Sequence, residues 1–260
     1  HVSNYRDWAV GVSFGQFITY GDLSTFNFNE EDDVFHQFDY GIGLNVTKYL
    51  SSVWGIKAQG TYGRLSGSNG IEVNNINTLR FESEKYFDYN LNVVMNLSAL
   101  ALKGKKYDRK WSLLTSVGIG MSQTQQTRFV NDVPVAIYAQ GVGGGADNEW
   151  TNEVFMPADL LLKYQLSQAL DLDLGLQYKY YFSDIIDALP AGISNDAVLY
   201  PHVGLTYNFG KDDAGSVIYS NPLDQMYFDV AEVKENFDML TTDDDKDGVN
   251  NLFDKDNSTP

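Results

Sequence analysis

A strict alternation of apolar with polar residues, repeated in eight segments of the first 210 positions, is the feature that most constrains this chain. The clearest segment sets Leu170, Leu172, Leu174, Leu176, Tyr178 and Tyr180 against Asp171, Asp173, Gly175, Gln177 and Lys179. A period of two sends successive side chains to opposite faces of a β-strand, whereas an amphipathic helix needs spacings of three and four. Residues 8–20 repeat the pattern, with Trp8, Val10, Val12, Phe14, Ile18 and Tyr20 opposite Ala9, Gly11, Ser13, Gly15 and Thr19. Positions 38–47, 54–62, 87–98, 111–121, 156–164 and 199–209 do the same. Eight such strands predict an all-β fold, a closed antiparallel barrel.

Which face points outward decides the class of barrel, because a soluble ligand carrier is apolar inside and polar outside. Here the polar faces contain charges of both signs. Asp39, Lys57, Asp88, Asp159, Lys163, Asp171, Asp173 and Lys179 would share one enclosed surface, where they can pair. The apolar faces carry Leu and Val near mid-strand and Trp or Tyr towards the ends, as a hydrocarbon band flanked by aromatic girdles requires. A transmembrane barrel is therefore expected, and eight strands leave room only for side chains. Such a lumen is a plug and not a channel.

Composition agrees. Aromatic residues make up 14 % of the chain while mean hydropathy is only −0.29, the averaging expected when alternate residues face lipid and lumen. No run of 18 apolar residues is present to form a membrane-spanning helix. The absence of cysteine excludes disulfides and thiolate metal sites. A net charge of −17 argues against nucleic acid as a partner. Beginning at His1 with no apolar export signal, the sequence reads as a mature exported form.

Connections alternate in length. Those at 48–51 and 167–169 are short, whereas 21–34, 66–78, 129–150 and 184–196 are long and polar or Gly-rich. Short periplasmic turns with long outer loops place both barrel ends in the periplasm of an outer-membrane protein. One lower connection, 99–110, is longer and carries Lys103, Lys105, Lys106, Arg109 and Lys110, a solvated turn or a contact for lipid headgroups.

After Gly210 the pattern changes. From Lys211 onward there are 13 Asp or Glu against four Lys, about half of the chain's negative excess. Leu223, Met226, Tyr227, Val230, Val233, Phe237 and Leu240 fall at spacings of three and four, one face of an amphipathic helix beginning near Pro222. Beyond it, carboxylates stand at positions 1, 3, 5 and 12 of the segment that starts at Asp243, with Gly248 at position 6. Asp243, Asp245, Asp247, Asn251 and Asp254, with the carbonyl of Val249, supply the oxygen ligands that Ca2+ takes in a tight loop. Three regions follow: a barrel over 1–210, a linker with an amphipathic helix over 211–240, and an extended calcium-binding repeat over 241–260.

Asn221, Pro222, Leu223 and Asp224, followed by Tyr227 and by the Asp-rich segment 243–260 ending in Thr259 and Pro260, resemble OmpA-family proteins. In these a barrel is joined by a helix to a thrombospondin type 3 repeat. The resemblance implies a peptidoglycan-binding domain beyond the repeat, absent from these 260 residues, and reads Tyr207 and Phe209 as the terminal aromatic signal for barrel assembly.

The expected role is structural: an outer-membrane anchor surrounded by lipid and lipopolysaccharide, linked to peptidoglycan through that further domain, or an accessory subunit of a larger outer-membrane complex. A low-conductance porin and a surface adhesin, whose long outer loops include the acidic cluster Glu30, Glu31, Asp32 and Asp33, are the alternatives. Catalysis is not expected. Of the three histidines His1 is terminal, His36 borders a loop, and His202 lies on the lumen face without an identifiable serine partner. Gly141 to Gly145 lacks the Lys and Ser or Thr of a phosphate loop.

Overall fold

The computed structural model describes residues 5–25, 38–68, 79–101, 109–131, 133–135, 150–187, 195–210, 215–220, 230 and 233–237. Its strands are β1 (Trp8–Gln16), β2 (Ile18–Tyr20), β3 (Tyr40–Tyr49), β4 (Trp54–Ser68), β5 (Leu79–Asn96), β6 (Trp111–Val130), β7 (Val133–Val135), β8 (Trp150–Gln165), β9 (Leu170–Tyr181) and β10 (Ala197–Phe209). A short helix, α1 (Leu97–Ala101), follows β5, and a 3-10 turn spans Val217–Tyr219.

Eight strands form the wall, in the order β1, β3, β4, β5, β6, β8, β9, β10. All neighbours are antiparallel, and β1 closes the ring against β10, from Trp8 opposite Phe209 to Gly15 opposite His202. The other two strands extend this wall. Beyond Phe17, β2 continues the line of β1 along β10, and β7 folds back on the end of β6. Closure leaves no strand edge unpaired around the ring, which removes the aggregation hazard of an open sheet.

Four of the strands reach further than the alternation indicated. β4 runs on to Ser68, β5 starts at Leu79, β6 ends at Val130 and β8 starts at Trp150, so these neighbouring strands rise above the level where the alternation ends. The register between β5 and β6 shifts at Glu82 to Lys85. Below this bulge Tyr86 and Asp88 point inward, whereas above it Phe81 and Ser83 do. An extra residue inverts the parity of a strand, so a pattern followed upward from Phe87 is lost there. At the opposite end α1 begins at Leu97, where alternation had been expected to run on to Ser98. Asn96 Oδ1 accepts the Ala99 N–H at 3.2 Å and stops the strand.

The outer face is apolar. Val12, Ile42, Leu44, Leu91, Val93, Val117, Ile119, Leu160, Leu174 and Val203 form an exposed belt. Trp8, Trp54, Trp111, Tyr207 and Phe209 ring it at the end where the barrel's first and last strands meet, here the lower end. Tyr62, Phe87, Tyr89, Trp150, Tyr178 and Phe182 ring it towards the other, upper end. Lys48, at the lower rim, is held by Asp7 and lies 4.9 Å over the Trp8 ring.

Past Gly210 the described residues are 215–220, 230 and 233–237, of which 230 and 233–237 are helical, and most of the segment 221–240 expected to form an amphipathic helix lies outside the described residues. Val230 and Val233 are exposed there.

Candidate functional site

The enclosed face has the composition the alternation predicted, and all eight expected charged residues are buried in it. Three ion pairs form among them. Lys57 of β4 reaches Asp159 of β8 at 2.5 Å, and Ser116 donates to the same carboxylate oxygen. Lys163 donates to both oxygens of Asp173, at 2.8 and 2.9 Å. Lys179 of β9 meets Asp88 of β5 at 2.5 Å and donates to Thr61 at 3.0 Å. Gln59 and Gln177 join β4 to β9, four strands round a ring of eight and so directly across it. The remaining two carboxylates are held otherwise. Asp171 accepts from Asn208 at 2.8 Å and Tyr219 at 3.0 Å, and Asp39 accepts from Ser66 at 2.7 Å with Arg64 at 3.7 Å.

Between these links a cavity of about 30 Å³ remains, lined by Ser13, Thr47, Lys57, Asp159 and His202 among others, room for about one water molecule. The His202 ring stacks on Tyr200 at 4.7 Å, with Nδ1 3.1 Å from the Tyr200 carbonyl oxygen.

Above the ion pairs the lumen becomes apolar, which the expected polar filling did not include. Phe17, Leu23, Leu65, Phe81, Tyr86, Phe155, Tyr181, Ile186, Val198 and Tyr200 form one buried cluster. The Lys179 ammonium sits beneath it, 4.7 Å from the Phe17 ring centre, 5.3 Å from Tyr86, 5.5 Å from Tyr200 and 5.8 Å from Phe155. Ring faces are electronegative and attract a cation, more so without water. Phe17 is inward by parity with Gly15 and Thr19, so the odd positions of that segment carried the signal.

The lower mouth is closed by the chain that leaves the barrel. Arg6 and Ser216 form a parallel bridge, with Arg6 N–H on the Gly215 carbonyl and Val217 N–H on the Arg6 carbonyl, each 3.0 Å. Val217 and Ile218 are thereby buried against Ala9, Tyr49, Val94 and Leu114. Asn96 and Arg109 both donate to the Ile218 carbonyl. Arg109, one of the cations of the basic connection, is thus committed to the barrel's own cap, and burial lowers its pKa.

At the upper end three carboxylates from the β9–β10 connection converge. Asp184, Asp187 and Asp196 each offer an oxygen, all within 4.8 Å of one another. Asp187 and Asp196 are fully buried. Asp187 Oδ2 accepts the Leu23 N–H at 2.9 Å, and Asp196 Oδ2 accepts those of Ile186 at 2.7 Å and Asp187 at 3.3 Å. Burial first, and the Asp187 carboxylate second, push Asp196 up to about 8. In the sequence this connection is only long and polar, and its one sign is three aspartates at the two ends of a loop.

The expected calcium ligands Asp243, Asp245, Asp247, Val249, Asn251 and Asp254 lie outside the described residues, as do Glu30 to Asp33 and Gly141 to Gly145.

No protein-family profile matches the chain, and no curated protein sequence matches it. Several solved structures are similar to it at a distance. Ail, the attachment invasion locus protein of Yersinia pestis, in complex with the heparin analogue sucrose octasulfate, is 13 % identical with a TM-score of 0.42, over 79 % of this chain and 99 % of Ail. Neisserial surface protein A is 9 % identical with a TM-score of 0.44, over 78 % of this chain and 97 % of its own. The N-terminal β-barrel domain of Pseudomonas aeruginosa OprF is 9 % identical with a TM-score of 0.36, over 76 % and 97 %. Likeness at this distance says nothing of activity.

Proposed function

We propose that this chain is an outer-membrane anchor of the OmpA type, whose barrel holds a periplasmic module to the membrane and conducts nothing. The single observation that carries this is the polarity of the barrel: an apolar belt outside, and a lumen crossed by Lys57–Asp159, Lys179–Asp88 and Gln59–Gln177. A barrel with that exterior is stable only in hydrocarbon, because an exposed apolar surface of this extent aggregates in water. With both barrel ends at the lower mouth, the chain after Phe209 emerges on the side of the shorter connections, which is the periplasmic side in this reading. There the loop Asp243 to Asp254 binds Ca2+ and stiffens the linker, and peptidoglycan is the partner of a domain beyond it. Membership of a larger outer-membrane complex is the variant of this role that co-purification tests.

Planar-bilayer recording of the full chain separates the anchor from a low-conductance pore. The expected trace has no reproducible open state; a stable open state would overturn the anchor-only reading in favour of the pore.

A further inference from the structure

We propose that Asp184, Asp187 and Asp196 form a calcium site at the upper end of the barrel, which ties both ends of the β9–β10 connection to the turn at Gly21 to Leu23. None of these three residues belongs to the loop at Asp243 to Asp254, and the site stands whether or not the barrel is an anchor.

The donor set comes first. Three carboxylate oxygens without nitrogen or sulfur suit a hard divalent cation. Calcium takes six to eight oxygens in flexible geometry, whereas magnesium demands a near-ideal octahedron and keeps several waters, so an irregular set of carboxylates completed by water suits calcium. Oxygens that all lie within 4.8 Å of one another are close enough to ligate one such ion together.

The second observation is independent of the clustering. Asp196 is fully buried, yet its Oδ1 accepts no hydrogen bond among the described residues, although Oδ2 accepts two. A buried carboxylate oxygen left without a partner is costly. That atom borders a space shared with Asp187 Oδ2. A methyl group on Gly21 would stand 2.3 Å from Asp196 Oδ1 and 2.8 Å from Asp187 Oδ2. Gly21 does not have a left-handed φ, so what the glycine provides is room. Asp184 is only partly buried, leaving a side from which water can enter and complete the coordination sphere.

Equilibrium dialysis of the full chain in detergent, carrying Asp243→Asn, Asp245→Asn and Asp247→Asn so that the tail loop is silent, tests the site. The expected result is one bound calcium per chain, at concentrations within the range of extracellular modules, about 0.1–1 mM. No calcium bound at about 5 mM would overturn the proposal. In the same background Asp196→Asn should weaken binding at least about tenfold, as should Gly21→Ala, which fills the space without removing charge. Unchanged binding in a folded Gly21→Ala chain would likewise overturn it, even where Asp196→Asn fails to fold. The chain with its native tail separates the two calcium proposals. Two equivalents falling to one on silencing the tail supports both, one falling to none leaves only the tail loop, and one that persists leaves only the barrel site.

Discussion

Lys179 shows how much of this molecule is decided by single side chains. Its ammonium is fully buried between the Asp88 carboxylate and four aromatic rings, so that each partner makes the burial of the other tolerable. Removing one member of a buried pair strands the other charge, at a cost of about 3–5 kcal/mol. Lys179→Met is therefore expected to lower unfolding stability in urea by about that amount, and Lys179→Met with Asp88→Leu to recover most of it. Recovery by the double variant distinguishes a stranded charge from lost packing. Phe17 lies above the same ammonium and is fully buried, and Phe17→Ala should cost about 3–5 kcal/mol in the same assay. Loss of less than about 1 kcal/mol would mean that the upper cluster collapses into the vacated space.

At the scale of elements, the strands and the chain that caps them have separate duties. The wall is held by backbone ladders, and its bulge at Glu82 to Lys85 lets β5 and β6 rise above the barrel while changing which residues face inward. The segment 215–220 closes the lower mouth with two buried apolar side chains and the shared carbonyl of Ile218. Ile218→Ala is expected to cost about 2–5 kcal/mol, read by urea unfolding followed at the tryptophans. A chain ended at Gly210 should be less stable than the full chain, since it uncovers Tyr49, Val94 and Leu114; equal stability would mean that 215–220 merely rests on the barrel.

For the whole molecule the closing contacts act in series: the lower cap, three ion pairs and the aromatic cluster each block the lumen. Removal of one is not expected to open it. The Ile218→Ala chain should remain without reproducible conductance in planar bilayers, and a conducting state would show that the cap alone had kept the lumen shut. Calcium has two predicted places, the tail loop and the β9–β10 connection, so chelation is expected to lower resistance to proteolysis in both. Cleavage mapped to the tail alone would confine calcium to Asp243 to Asp254.

Most of the barrel was legible from residues alone. Alternation is a local property of a strand, and it set the number of wall strands, the outward belt and the eight inward charges before any pairing was known. The choice of pairs was not local. Lys57 and Asp159 are far apart in the chain and meet only because β4 and β8 stand three places apart in the closed ring. Phe17 and Tyr86 become one cluster for the same reason. The bulge hid the upper part of β5 because one inserted residue reverses parity without changing composition. Asp184, Asp187 and Asp196 looked like ordinary loop acids; folding buried two of them and turned their oxygens to one point. What a strand shows to each side is written in its period, whereas what meets across a lumen depends on register and closure, which only the folded ring supplies.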